Sequence, residues 1–197
     1  MIKIQDEFLS NESTIDDLYN FFHYAGNWQF DFLKKEYILG NTSKPDVEDL
    51  ISRIIKELCS IDIGFTAKVG YEVWVNVLDL NNNDLDHHVD CDEFSQGYDT
   101  AKRTAVIHLG RDEDLIGGEL AIDTSDFTPS YKFEKTTAGI EKRMDNNWIK
   151  VPFKTNRLII FDSNYPHAVL PIKNITKGAS RVSLMISSWD KEIKIKR

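Results

Sequence analysis

Residues 71–78 read YEVWVNVL, and the alternation within them decides the fold class. On an extended chain Tyr71, Val73, Val75 and Val77 share one face, while Trp74 and Asn76 share the other. One face must be core; if Trp74 and Asn76 turn toward a cavity, they shape a pocket. The same pattern recurs downstream in TAVIHLG, GGELAID, SYKFEK, NWIKVPF, RLIIFD, HAVLPI and RVSLMISSW, segments rich in β-branched and aromatic residues. Short strands separated by polar turns predict a mainly β fold, a double-stranded β-helix or jelly roll, and not a parallel α/β sheet.

Upstream of residue 69 the period is helical. Ile15, Leu18, Tyr19 and Phe22 recur at helical spacing, with Thr14 and Asp17 placed like a capping box. Pro45 suits a first helical turn, Val47, Leu50, Ile51, Ile54 and Leu58 form one apolar stripe, and Gly64 follows the stop. Both helices need a sheet on which to bury that stripe. A single domain is expected, with residues 1–65 as supporting N-terminal helices and 66–197 as the jelly-roll core. The polar stretches 91–102 and 123–147 read as loops or flaps of the kind that select substrates.

Bulk composition narrows the classes further. A chain of 197 residues with 41% hydrophobic and 28% charged residues has the balance of a globular protein. No apolar run approaches the ~20 residues that span a bilayer. The opening MIKIQDEFLS carries early acids and no signal-like apolar stretch, so a cytoplasmic protein with no membrane partner is expected. Cys59 and Cys91 read as free thiols on a helix and a loop. A net charge of −8 argues against nucleic acid as a partner, because generic phosphate affinity comes from clustered cations.

Just past the deciding strand lies LDHHVDCDE, residues 85–93. His88 and Asp90 are two apart, so on an extended segment an imidazole and a carboxylate project together. A second histidine, His167, follows the apolar run RLIIF. Two histidines and one carboxylate leave metal positions open, the arrangement that serves non-haem Fe(II) oxygen chemistry. Arg181 then enters an apolar strand, where a guanidinium is costly unless it meets an anion such as a co-substrate carboxylate. His87 has no acid two residues on and is read as solvent-facing or as a donor behind the ligands. Asp92 and Glu93 read as loop acids, Cys91 as a thiol on the opposite face, and His23 as a packing residue of the first helix.

HVD at 88–90, RTAVIHL at 103–109, GGEL at 117–120, FDS at 161–163, HAVLPI at 167–172 and Arg181 stand in an order that resembles a known family. It is that of the Fe(II)- and 2-oxoglutarate-dependent oxygenases, especially their prolyl 4-hydroxylase-like branch. The resemblance covers roughly residues 70–190 and implies that His88, Asp90 and His167 hold Fe(II) as the catalytic metal centre. It implies 2-oxoglutarate as co-substrate with its distal carboxylate on Arg181, and O2 as oxidant. His108 stands where the family often has a tyrosine reaching that carboxylate, and Ser183 shares a strand face with Arg181. The implied activity is hydroxylation of a C–H bond, on a prolyl or other residue of a peptide or protein, or on a small molecule such as a free amino acid. Nucleic-acid demethylation fits less well, since those relatives carry a second arginine where this chain has Ser187. Rivals outside the family are a non-catalytic jelly-roll binding module and a zinc hydrolase, the latter having no use for Arg181.

Overall fold

The alternation of residues 71–78 persists as a nine-residue strand, Gly70–Leu78, inside the larger of two facing sheets. The computed structural model describes residues 1–25, 28–34, 45–91, 99–110, 114–125, 139–140, 144 and 147–192. In chain order the elements are β1 (Ile2–Gln5), α1 (Glu12–Ala25), β2 (Trp28–Lys34), α2 (Pro45–Ile61), a 3-10 turn (Ile63–Phe65), β3 (Gly70–Leu78), β4 (Leu85–His88), β5 (Arg103–His108), β6 (Ile116–Gly117), β7 (Leu120–Asp123), β8 (Trp148–Val151), β9 (Leu158–Asp162), β10 (His167–Val169), β11 (Ile172–Asn174) and β12 (Arg181–Trp189). The large sheet runs β1-β9-β5-β12-β3-β2, the small one β4-β10-β7-β8, and β11 pairs with β6. The fold is a jelly roll with two supporting helices, as the sequence implies.

Strand parity sorts the side chains into layers. Val73 and Val75 of β3, Ala105 and Ile107 of β5, and Val182, Leu184 and Ile186 of β12 face Ile15, Leu18 and Phe22 of α1 and Ile51, Ile54 and Leu58 of α2. The opposite face of the same strands, with Val106 and Met185, meets Leu120, Ile122 and Val169 of the small sheet. A third cluster, Ala121, Ala168 and Leu170, covers the outer face of the small sheet together with Ile140 and Met144. Strands β5, β9 and β12 are therefore buried on both faces, which is why RLIIF and RVSLMISSW read as nearly continuous apolar runs.

Several expectations change. Helix α1 begins at Glu12, and the Thr14 N–H already donates to the Asn11 carbonyl at 3.1 Å. Asn11 stands at the cap, and Thr14 lies within the first turn instead of starting a capping box. The segment expected only as helical support also supplies both edges of the large sheet, β1 against β9 and β2 against β3. GGELAID and HAVLPI each split into two strands, the first broken where Gly117 and Gly118 adopt positive φ. SYKFEK lies outside the described residues, as do Asp92 and Glu93 and most of both flaps. The described flap residues Ile140 and Met144 pack on the outer side of the small sheet. That is the face away from His167, because Ala121 and Ala168 alternate with the inward-facing residues of β7 and β10.

Candidate metal centre and co-substrate pocket

Register brings the two histidines together. His88 on β4 and His167 on β10 are directly paired across antiparallel strands, and their ring centroids lie 4.4 Å apart. Asp90 follows two residues after His88, its backbone carbonyl held by the Ala101 N–H at 3.1 Å. Asp90 Oδ1 stands 3.9 Å from His88 Nε2 and 3.7 Å from His167 Nε2. One ligand atom from each of the three residues lies within 4.8 Å of the others.

The tautomers follow from the backbone. His88 Nδ1 is 2.6 Å from the Asp86 carbonyl and His167 Nδ1 is 3.0 Å from the Tyr165 carbonyl. A carbonyl only accepts, so each Nδ1 carries a proton and, in the neutral ring, each Nε2 keeps its lone pair toward Asp90. Burial, reinforced by the neighbouring His88, pushes the His167 imidazole down to about 4 while Asp90 opposes the shift. His167 is thus neutral at pH 7, the form that binds a cation.

The other carboxylate oxygen of Asp90 points into the large sheet. Thr104 Oγ1 donates to Asp90 Oδ2 at 2.5 Å, and Ser187 Oγ lies 3.4 Å from the same atom. Thr104 Oγ1 is also 2.8 Å from both Ser163 Oγ and Ser187 Oγ. Sequence reasoning missed this cluster as a unit. Thr104 and Ser163 belong to the quoted RTA and FDS fragments, whose spacing holds the signal but not the contact.

Away from the triad the pocket is cationic. Trp74, Asn76, His88, His167, Arg181 and Ser183 line one pocket that opens to solvent, with Leu85, Val106, Leu120, Val169 and Met185 as its apolar wall. Trp74 and Asn76 therefore turn inward, as one of the two readings of β3 expects. Arg181 is 1% exposed. Its Nε donates to the Gly118 carbonyl at 2.8 Å, its Nη1 donates to Ser183 Oγ at 3.0 Å, and its guanidinium lies 5.2 Å from the centre of the Phe153 ring. Burial pushes this guanidinium down to about 9, with the Glu119 carboxylate opposing, so it stays charged at neutral pH. Its Nη2 is buried with no hydrogen-bond partner.

His108 sits in register with Ser183 and stacks on Phe153 at 4.4 Å. It shares its strand face with Val106, which walls the cavity. The Lys154 N–H donates to its Nδ1 at 3.3 Å, so Nε2 carries the proton of the neutral ring. Burial, with Arg181 and Arg157 nearby, holds His108 well below the usual histidine range. Its Nε2 also lacks a partner.

His87, expected to face solvent or to support the ligands, does not face solvent. It is 5% exposed and its ring lies 5.1 Å from Trp148, which packs on the cluster outside the small sheet. Strand parity turns it away from His88. Cys91 is half-buried, its backbone forms an isolated β-bridge with Thr100, and neither cysteine is in a disulfide.

No protein-family model matches the chain, and no curated protein matches it. Solved structures do. A prolyl 4-hydroxylase from Pseudomonas putida is 15% identical with a TM-score of 0.60, covering 97% of this chain and 93% of its own. The viral collagen prolyl hydroxylase of Paramecium bursaria Chlorella virus-1, in a complex with 2-oxoglutarate, is 17% identical with a TM-score of 0.56, covering 94% of each chain. The fold is that of the prolyl 4-hydroxylase-like Fe(II)/2-oxoglutarate oxygenases. A prolyl hydroxylase from Trichoplax adhaerens, bound to a peptide fragment of the hypoxia-inducible factor oxygen degradation domain, shares this oxygenase fold at 14% identity and a TM-score of 0.56, covering 96% of this chain and 83% of its own. The donor set of the triad suits iron: two imidazoles and one carboxylate, with His88 and His167 also lining the pocket.

Proposed function

We propose that the protein is an Fe(II)- and 2-oxoglutarate-dependent oxygenase that hydroxylates a C–H bond of a prolyl or other residue in a peptide or protein. One observation carries the reading: a single pocket is lined by His88, by His167 and by the buried Arg181, whose Nη2 has no hydrogen-bond partner. A metal alone would not need Arg181, and an anion alone would not need the triad. A dicarboxylate that chelates a metal at one end and carries a free carboxylate at the other uses both.

His88, Asp90 and His167 would hold the iron, and Arg181 the distal carboxylate, with Ser183 and the Nε2–H of His108 as further donors. Bound iron and 2-oxoglutarate supply the oxidation, in which O2 converts the co-substrate to succinate and carbon dioxide and puts one oxygen atom into a substrate C–H bond. The chain's own share is to fix the histidine tautomers, to hold Asp90, and to wall the pocket with the apolar side chains of Leu85, Val106 and Met185. A peptide substrate is supported by the open side of the cavity and by the peptide in the Trichoplax relative.

The test is succinate release on supplying Fe(II), O2, 2-oxoglutarate and peptide or amino-acid candidates, with mass spectrometry for a 16 Da gain, the mass of one oxygen atom. Gain on free amino acids only would move the substrate class to small molecules. A binding module predicts that Fe(II) and 2-oxoglutarate leave the melting temperature unchanged, whereas the oxygenase predicts joint stabilisation.

A further inference from the structure

Two neighbouring strands of the large sheet, and the residue that follows a third, each deliver one hydroxyl to the same point behind Asp90. Thr104 on β5 is register partner of Ser187 on β12 and of Phe161 on β9, and Ser163 follows Phe161 by two residues. All three hydroxyl-bearing residues are at most 1% exposed. Asp90 itself lies outside that sheet, after β4 of the small one. The cluster therefore hooks a loop of one sheet onto the floor of the other.

Counting protons orders the cluster. Asp90 Oδ2 only accepts, so the single Thr104 proton goes to it at 2.5 Å. With that proton engaged, Thr104 can only accept from Ser163 Oγ at 2.8 Å, while the Ser187 hydroxyl lies within reach of both Thr104 Oγ1 at 2.8 Å and Asp90 Oδ2 at 3.4 Å. Both serines thus reinforce the contact to the carboxylate.

We infer that Thr104, with Ser163 and Ser187 behind it, is a positioning residue that occupies Asp90 Oδ2 and so restricts Asp90 to one-oxygen binding of the metal. This rests on the iron reading above. A carboxylate can bind a cation through one oxygen or two. With Oδ2 engaged by Thr104, only Oδ1 faces His88 Nε2 and His167 Nε2. Three single-atom protein ligands would then leave positions on a bound metal for a chelating keto acid and for oxygen. A second Asp90 oxygen on the metal would remove one of them. Nothing in this argument depends on the substrate.

The test uses Co(II) as the metal probe, titrated into metal-free protein and followed by its visible absorption and by calorimetry, then 2-oxoglutarate titrated into the Co(II)-loaded protein. Thr104→Val keeps the shape and removes the donor. It is expected to weaken Co(II) about 10- to 100-fold, the range typical of lost outer hydrogen bonds. It should also alter the Co(II) spectrum and weaken 2-oxoglutarate on the loaded protein, while Thr104→Ser restores all three. Ser187→Ala leaves Thr104 in place and should move them in the same direction by less, which keeps the inference testable if Thr104→Val does not fold. Wild-type protein that binds no Co(II) would overturn the iron reading itself. Wild-type binding together with an unchanged spectrum and affinities within twofold in Thr104→Val, or in Ser187→Ala if that alone folds, would overturn the inference and leave the iron reading standing.

Discussion

Arg181 donates its Nε–H to the carbonyl oxygen of Gly118 at 2.8 Å, so the guanidinium in the pocket is aimed by the backbone of a two-glycine turn. Gly117 and Gly118 have φ of +84° and +70°, the left-handed region that side chains disfavour. A Cβ on Gly117 would stand 2.2 Å from the Pro171 carbonyl oxygen, and one on Gly118 would stand 3.1 Å from Arg181 Cδ. The GGE fragment thus has a physical reason: it brings a bare backbone against β11 and the arginine stem.

Alanine substitutions should separate strain from collision. Gly178 has φ of +81° with nothing within 4 Å of its virtual Cβ, so Gly178→Ala carries strain alone, about 1 kcal/mol. Gly117→Ala adds a backbone clash and should lose at least twice that in urea unfolding. Gly118→Ala should lose an intermediate amount and also weaken 2-oxoglutarate binding, because it pushes on Arg181. Equal losses at 117 and 178 would show that the Pro171 approach is not rigid.

Arg181→Met should do two opposite things. A buried guanidinium with an unpartnered Nη2 costs the ligand-free fold, and apolar replacement of buried charge is often stabilising by about 1–4 kcal/mol. Calorimetric melting of the metal-free protein should therefore rise or hold, while added 2-oxoglutarate no longer stabilises the metal-loaded form. A large fall in ligand-free stability would mean that Glu119 and Gly118 already satisfy the charge.

His167→Ala should give the complementary loss. Metal content measured on the purified, iron-loaded variant should fall to background, and with it any stabilisation by 2-oxoglutarate. Arg181→Met should keep its iron. A variant set in which both ligands are lost together from both substitutions would point to a collapsed pocket instead of two separable sites.

Much of this was legible in the sequence, because parity and short spacings carry it. The alternation of β3 put Trp74 and Asn76 on one face, and the HVD spacing put His88 and Asp90 on one side while turning Cys91 away. Sheet order is what parity cannot supply. Ser187 read only as the residue standing where an arginine was not, yet the β9-β5-β12 order makes it a neighbour of Thr104 and Asp90. His87 failed for a related reason: alternation shows that it opposes His88 but not that Trp148 buries that face. Edge strands β1 and β2 are not legible although WQFDFLK alternates, because a short strand within a helical third needs a partner that only the fold provides.

His108 and His167 are both held neutral by burial, the first well below the usual 6.5 and the second at about 4. The unfolded chain takes up their protons as pH falls below 6.5, and the native state does not until much lower. Native stability linked to these groups is thus fully present above pH 6.5 and is lost as pH falls from there toward the folded values. Each group costs up to about 1.4 kcal/mol per pH unit inside that window. Metal-free protein should show a lower urea midpoint at pH 5.5 than at pH 7.5. His108→Phe, which keeps a ring against Phe153 and removes one titrating group, should lose less over the same interval. If wild type and His108→Phe fall in parallel, the interior at His108 accepts the proton and its Nε2 is not the sealed donor that the pocket requires.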